Sequence, residues 1–196
     1  CSTLPNQKEE REDEIRTALQ EVVQTASERV EATLHSQMTL TMLVPPSSSP
    51  LLDQKQIPRL EEHLELWSRQ VIAAFRQATI AMPQLLRPYI EALQIADPLA
   101  VMQSSDSSAT ALLVTTHQSE IEGEARVMLE AHLKASSQTW QMLSDRYAIW
   151  SRSRNLLGEE MLPRLGPEPT DHLIRIFLSA YLEQLTREEL YLRTTP

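Results

Sequence analysis

The clearest hydrophobic pattern lies between residues 57 and 93, where apolar side chains recur at every third or fourth position. This spacing holds them on one face of an α-helix for about seven turns, with glutamates and arginines on the other face. Pro58 suits the first helical turn, because the N–H group that proline lacks would have no hydrogen-bond partner within the helix there. Pro83 is predicted to bend or end the helix before a second apolar run that reaches Leu93. The recurring apolar residues are Leu60, Leu64, Trp67, Val71, Ala74, Phe75, Ala78 and Met82.

Four further stretches show the same spacing, so each is predicted to form a helix with one buried face. A short helix is also predicted over residues 99–102, because Asp97 and Pro98 have the character of an N-cap and a first helical residue. The four stretches are residues 15–34, 121–133, 140–150 and 173–185.

Serine and threonine side chains at helix starts accept hydrogen bonds from otherwise unpaired N–H groups, so they mark the predicted helix boundaries. Ser119 with Glu122, and Thr186 with Glu189, have the spacing of a capping box. The second pair predicts that the last helix breaks before Leu190. The other predicted starts lie at Ser107 or Ser108, at Ser136 or Ser137, and at Thr170 or Asp171.

Two stretches that lack helical spacing are rich in proline, serine or glycine, residues 45–56 and 152–169. Both are predicted to be long loops. Just before the first loop, in residues 38–44, apolar side chains alternate with threonines. This period of two is typical of a short strand, and a packed extended segment without a strand partner fits equally well.

These elements predict an all-α fold, a single irregular helical bundle of about six to eight helices with two long loops, over residues 15–193. The chain has only three glycines, too few for phosphate-binding loops or most hairpin turns. Its 196 residues suit one well-buried domain, and no repeat of fixed period indicates a solenoid.

The net negative charge of the chain argues against some classes of binding partner. A formal charge of -9 and a pI near 5.1 argue against nucleic acid and against electrostatic binding to anionic membranes. No apolar stretch reaches the roughly 18 residues of a membrane-spanning helix. Any attachment to a membrane must therefore come from another device.

The only cysteine is residue 1, and the polar residues 2–14 follow it without apolar periodicity. Such a cysteine is what remains after a bacterial lipoprotein signal peptide is cleaved, and its thiol then carries a lipid. Residues 1–14 are therefore predicted to be a flexible tether lipidated at Cys1, although its acidic end also suits the first turn of a helix. An arbitrary start of the sequence is the alternative. Ser2, rather than an aspartate, is typical of sorting to the outer membrane.

No pattern of catalytic or metal-ligating residues stands out. The five histidines are scattered, there is no second cysteine, and neither H-E-x-x-H nor paired Glu-x-x-His motifs occur. We therefore predict no catalytic residue, cofactor or metal. His132 lies on an apolar stripe and is expected to be a hydrogen-bonded core histidine.

Charged and aromatic clusters have structural interpretations that are favoured over functional ones. The glutamate-rich runs at residues 9–14, 61–65 and 188–189 are predicted to be solvated helix faces. The arginines within residues 146–154 suit a surface patch, with a phosphate or lipid-headgroup site as the alternative. Five aromatic residues are predicted to pack in the core, with the wall of an apolar pocket as the alternative: Trp67, Tyr89, Trp140, Tyr147 and Trp150.

Several short motifs are spread along the chain. They include an alanine-rich helix that enters Pro83, a polar turn into Ala109 and Thr110, and an apolar pair followed by Glu189 and Arg193. In these motifs the chain resembles a family of uncharacterised bacterial exported lipoproteins, known only as a domain of unknown function. It departs from the family pattern in the polar turn, where serines replace glycines and an aspartate. The resemblance implies an exported helical protein and no particular activity.

Together these features predict a bacterial envelope protein that is held by a lipid at Cys1, most simply on the periplasmic face of the outer membrane. The favoured function is a non-enzymatic interaction or structural module with a protein partner that the sequence does not identify. The alternative is a carrier that holds an apolar or lipid ligand between its helices.

The lipid anchor leads to a direct test. Cys1→Ser, expressed with its native signal peptide, should move the protein from the membrane fraction to soluble or unprocessed forms, because each buried methylene of a lipid stabilises membrane binding by about 0.8 kcal/mol. Circular dichroism should show that the helical domain stays folded. Wild-type protein that partitions into the aqueous phase of a detergent extraction, with an unmodified N-terminal cysteine by mass, would contradict the anchor.

Overall fold

A computed structural model describes residues 4–54, 56–104 and 106–194. These residues form seven helices and no strand, so the predicted all-α helical-bundle class is confirmed. Cys1, the predicted site of lipidation, lies outside the described residues, as does Ser2. The helices are α1 (Leu4–Gln37), α2 (Leu40–Leu43), a 3-10 helix η1 (Pro46–Asp53), α3 (Leu60–Glu91), α4 (Pro98–Gln103), α5 (Ser108–Leu156) and α6 (Thr170–Thr194).

The chain groups into two compact units. Among the described residues, unit 1 contains 4–32, 78–127 and 178–194, and unit 2 contains 33–77 and 128–177. Each unit has apolar side chains that are buried almost completely. In unit 1 these include Leu19, Val22, Met82, Leu86, Ile90, Leu113 and Tyr181, and in unit 2 they include Leu43, Leu51, Trp67, Val71, Phe75 and Phe177.

Helix α1 begins at Leu4, well before the predicted start at Ile15. The irregular conformation expected for the polar residues before Ile15 is therefore wrong from Leu4 onward. Two ion pairs spaced four residues apart, Lys8–Glu12 and Glu12–Arg16, support this part of the helix. A guanidinium N–H of Arg16 also donates to a backbone carbonyl elsewhere in unit 1. The apolar stripe that follows is buried as predicted.

Helix α3 continues through Pro83, so the predicted end of the helix there is wrong; a bend there stays a prediction. An interior proline costs about 3 kcal/mol. Met82, Leu86 and Ile90 are all buried on one face around it, and each contributes about 1.5–3 kcal/mol. The combined burial therefore outweighs the lost hydrogen bond.

The start of α3 also differs from the prediction, because the helix begins at Leu60 and leaves Pro58 in a turn before it. Arg59 separates the two, and its φ of 60° lies in the left-handed region, which cannot continue a helix. The stripe from Leu60 to Met82 is buried along its whole length, as predicted.

The segment before α3 is more helical than its sequence indicates. Residues 40–43 form α2, so the predicted extended segment or strand is wrong. Among the alternating apolar residues, Met38 and Val44 are buried whereas Met42 is exposed, so they do not share one face. Most of the predicted loop 45–56 is the 3-10 helix η1, which buries Ser48 and Leu51.

The short helix α4 is confirmed, and the Asp97 carboxylate accepts a hydrogen bond from the Ala100 N–H at 3.0 Å. Helix α5 is longer than predicted, because the break at Ser136 or Ser137 is wrong. Ser136 is buried and its hydroxyl donates to the Leu133 carbonyl of the preceding turn at 2.7 Å, so it supports the helix instead of starting one.

The break predicted near Ser119 has a counterpart two residues earlier. His117 has non-helical backbone angles, φ -123° and ψ 24°, at a kink within α5. In α6 the break predicted before Leu190 is wrong, because the helix continues to Thr194. The Thr186 hydroxyl donates to the carbonyl of the preceding turn at 3.1 Å and does not cap a new helix.

The second predicted loop begins later than residue 152, because α5 continues to Leu156. Gly158 follows with a φ of 80°, the left-handed conformation that commonly closes a helix. Gly166 donates its N–H to the Ser47 carbonyl and to the Ser48 hydroxyl, both at 3.2 Å. A side chain at Gly166 would collide with Ser47, so glycine is required for this contact within unit 2.

Most of the aromatic residues pack as predicted. The rings of Trp67 and Trp140 lie 4.9 Å apart in the core of unit 2, and Tyr147 is also buried. Trp150 and Tyr89 are half-buried. His132 is exposed, so its predicted core position is wrong. Leu129 and Leu133 are the buried residues of that turn of the helix.

Phe75 tests the core of unit 2, because it is fully buried with its ring 5.3 Å from that of Phe177. We expect Phe75→Ala to lower the free energy of unfolding by about 3–5 kcal/mol through lost burial and a residual cavity. Ile80→Ala, an exposed position on the same helix, is the control and should change it by about 0.5 kcal/mol or less. A loss below about 1 kcal/mol for Phe75→Ala, measured by chemical denaturation, would contradict this packing.

Candidate functional site

An ion pair on α6 connects several polar groups of unit 1. Glu189 and Arg193 lie one helical turn apart, and their side chains approach to 2.6 Å. Both side chains are largely buried, with exposed fractions of 5% and 19%. The predicted solvated face at residues 188–189 is therefore wrong, because both glutamates lie in the interior.

The carboxylate of Glu189 closes the start of α5. Its two oxygens accept hydrogen bonds from the Ala109 and Thr110 N–H groups at 3.1 and 2.7 Å. The first N–H groups of a helix have no intrahelical partner, and a negative charge is favoured at that end. The helix thus begins where the serines predicted, but its cap comes from a distant residue. The Ser108 hydroxyl instead donates to the Val101 carbonyl.

The guanidinium of Arg193 closes the end of α4. It donates to the carbonyls of Val101 and Ser104, both at 3.0 Å, and to that of Met102 at 3.4 Å. Its other N–H groups bond Glu189 and the Ser108 hydroxyl. A positive charge is favoured at a helix C-terminus, where carbonyls lack partners. One ion pair therefore joins two helix ends to α6.

This cluster brings together residues that carried the family resemblance. Ala109 and Thr110 from the polar turn meet Glu189 and Arg193 from the end of the chain. Their contacts are to one another and to the backbone, so their role in this structure is to hold the helices in place. The motif around Pro83 lies on another helix.

A second ion pair, between a buried glutamate and an exposed arginine, lies beside the first on α6. Glu188 bonds the Arg29 guanidinium at 2.8 Å, and Arg29 also lies over the ring of Tyr191. Two turns before Glu188, the Tyr181 hydroxyl shares a 2.7 Å hydrogen bond with Ser27. Burial raises the pKa of Tyr181 well above its usual range, and the bond with Ser27 acts in the opposite direction. These contacts fasten α1 to α6.

A cavity of about 320 Å³, partly open to solvent, lies next to the ion pair in unit 1. Ala109, Glu189 and Arg193 form the part of its wall that carries the capping cluster. Glu14 also lines it. The remaining wall is apolar, and it consists of Ile15, Ala18, Leu19, Val22, Met102 and Leu192.

The charged residues that line this cavity differ in whether they have hydrogen-bond or ion-pair partners. Glu189 and Arg193 satisfy each other and the backbone, as described above. Glu14 is exposed, and its carboxylate has no hydrogen bond or ion pair within the part of the chain that the structure describes. The cavity is therefore apolar, with one available negative charge on its wall.

A second polar cluster surrounds the kink of α5 in unit 1. The rings of Tyr89 and His117 lie 5.2 Å apart, and the buried Nε2 of His117 has no partner among the described residues. Burial, and a hydrogen bond with Glu124, raise the pKa of Tyr89. The backbone N–H and Ser119 lower the pKa of Glu120.

Unit 2 has a groove of about 430 Å³ between the end of α5 and residues 161–166. Its polar groups are used to hold that segment, because the Tyr147 hydroxyl donates to the Pro163 carbonyl at 2.8 Å and Ser151 bonds the backbone of Leu162. Of the arginines considered as a headgroup site, Arg154 is paired with Glu159 at 3.0 Å.

Comparison with protein-family models, with curated proteins and with solved structures returns no match to this chain. No described helix is long and apolar enough to cross a membrane. Within the same residues no group of three or more histidine, cysteine, aspartate or glutamate side chains is placed to hold a metal ion.

Sequence reasoning missed the burial of residues 188 and 189, although a signal was present. The apolar stripe of α6 passes through Tyr181 and Leu185, and one further turn brings it to Glu188 and Glu189. A charged residue at a stripe position is buried only when it has a partner. The arginines that supply those partners, at positions 29 and 193, are ordinary in the sequence.

The Glu189 cap leads to a stability test. Glu189→Ala should lower the free energy of unfolding by about 3 kcal/mol or more, because it leaves Arg193 and two N–H groups buried without their acceptor. Glu183→Ala removes an exposed ion pair on the same helix and should cost at most about 1 kcal/mol. Equal losses for the two variants in urea denaturation would contradict the structural role of Glu189.

Proposed function

We propose that this chain is a non-enzymatic binding protein of the bacterial envelope, and that unit 1 holds a small apolar ligand next to the Glu189–Arg193 pair. The observation that carries the proposal is the cavity of about 320 Å³, whose wall is mostly aliphatic. Ligand pockets of proteins are typically apolar and about 300–1,000 Å³ in volume. The cavity falls at the small end of that range.

The bonding of the charged residues supports an apolar ligand. The N–H groups of Arg193 donate to Glu189, to Ser108 and to carbonyls at the end of α4. Few N–H groups therefore remain to bind a ligand. Both carboxylate oxygens of Glu189 accept hydrogen bonds, from N–H groups of α5 and from Arg193. Displacing either group would expose buried N–H or carbonyl groups. Affinity would therefore come mainly from burying apolar surface.

The location belongs to the same proposal and rests on the sequence. A lipid at Cys1 would hold the protein on a membrane of the envelope, most simply the outer membrane on its periplasmic face. The Cys1→Ser fractionation tests this part independently of ligand binding. A binding protein in that place would meet apolar molecules that leave or enter a membrane.

A specific observation also favours the second candidate, an interaction module with a protein partner. Four large apolar side chains near the end of α5 and just after it are exposed: Ile149, Leu156, Leu157 and Met161. Leu156 and Leu157 are the extreme cases, with exposed fractions of 87% and 79%. Clustered exposed apolar residues are typical of interaction sites.

A neutral fluorescent probe tests the ligand proposal. N-phenyl-1-naphthylamine should bind the wild-type chain with enhanced emission. Ala18→Trp places a large side chain in the cavity from an exposed wall position, and should weaken binding about tenfold or more. Ala131→Trp, at an exposed helical alanine that does not line the cavity, should leave probe binding unchanged.

Two results would contradict the proposal. One is an absence of probe binding by the folded wild-type chain. The other is equal affinity of the wild-type chain and Ala18→Trp, which would place the bound probe elsewhere. Leu157→Ser, which lowers the exposed apolar surface of unit 2, then distinguishes probe bound at that surface from probe bound in the cavity.

A further inference from the structure

One acidic residue on the wall of the unit 1 cavity is available to a ligand. Of the two glutamates that line it, Glu14 is the one that has no hydrogen bond or ion pair within the described residues. The nearest basic side chains of α1 that form ion pairs, Lys8 and Arg16, approach Glu12 and not Glu14. The charge of Glu14 is therefore not cancelled by an ion pair of its own helix.

The positive groups at the cavity are already occupied. The N-terminal end of α5 attracts anions, but the Glu189 carboxylate binds its Ala109 and Thr110 N–H groups. Arg193 is bonded to Glu189 and to three carbonyl groups. A ligand carboxylate would thus find no available donor among these groups and would face the charge of Glu14.

From this arrangement we infer that the cavity prefers an apolar ligand with a positively charged amine at one end. The amine would pair with Glu14, and the apolar chain would lie against Leu19, Val22 and Leu192. The inference rests on the proposed function, since it requires that the cavity binds an apolar ligand. It goes further by assigning the chemical class of the head group.

The size of the cavity limits the apolar part. A volume of about 320 Å³ accommodates roughly ten groups of the size of a water molecule, at about 30 Å³ each. An alkyl chain of about eight to ten carbons fits this space. Two-chain lipids are too large to enter it whole.

Three ligands of equal chain length separate the effect of charge from that of burial: decylamine, decanol and decanoate. At pH 7 the amine is protonated and the carboxylate is ionised, because alkyl amines and carboxylates titrate far from neutrality. Each is added below its aggregation concentration to displace N-phenyl-1-naphthylamine from the full chain. We expect decylamine to bind about fivefold more tightly than decanol, the modest effect of an exposed charge pair, and decanoate to bind more weakly than decanol.

Glu14→Gln should bring the affinities for decylamine and decanoate to within about twofold of that for decanol. Glu10→Gln is the matched control, because it removes the same charge from an exposed position of α1 that does not line the cavity, and it should keep the preference. Raising the salt to about 1 M should also reduce the preference, since the screening length then falls to about 3 Å.

The outcomes distinguish the two proposals. Equal binding of all three ligands, tighter binding of decanoate, or a preference for decylamine that survives Glu14→Gln would each overturn the inference about the head group. Decanol binding that Ala18→Trp abolishes would leave the proposed function intact in all of these cases. If none of the three ligands displaces a probe whose binding Ala18→Trp weakens, the inference about the head group falls and the proposed function stands.

Discussion

Unit 1 depends on one buried carboxylate. Glu189 is placed by α6 so that its two oxygens meet the first free N–H groups of α5, and Arg193 balances its charge while closing α4. Burying this pair away from water is unfavourable by itself, and only the complete set of hydrogen bonds offsets that cost. The two helix ends that line the cavity, at Met102 and Ala109, are therefore fixed by the same contact. An apolar space next to them stays open because the polar groups are satisfied without filling it.

The helical stripes could be predicted from the sequence because burial of one face leaves a periodic pattern in the chain. Every apolar residue named in the stripe from Leu60 to Met82 is buried. The same holds for the stripe of α1, which consists of Ile15, Leu19, Val22, Val23, Ala26, Val30 and Leu34. Helix ends were harder to predict, because local rules for proline and serine compete with tertiary burial. Pro83 lies within a helix whose apolar face is buried around it, and Ser136 bonds back to its own helix. Both residues have local preferences that packing overrides.

The candidate site was only partly visible in the sequence. Glu189, Arg193, Ala109 and Thr110 appeared as motif residues, but nothing in their local patterns indicated that they meet, since the contact joins positions far apart in the chain. The cavity leaves no sequence signal at all, because it is a gap between side chains that each follow an ordinary apolar pattern. Glu14 likewise reads as a solvated glutamate in a polar run, and only the fold shows that it lines an apolar space.

Amide hydrogen exchange at the start of α5 tests the central claim most directly. First-turn N–H groups normally exchange rapidly, because they have no partner within the helix. If the Glu189 carboxylate binds the Ala109 and Thr110 amides, both should exchange at least about a hundredfold more slowly than the Ala100 amide, whose cap by Asp97 is exposed to water. Protection of Ala109 and Thr110 no greater than that of Ala100 would contradict the account, because the cap that organises unit 1 would then be absent in solution.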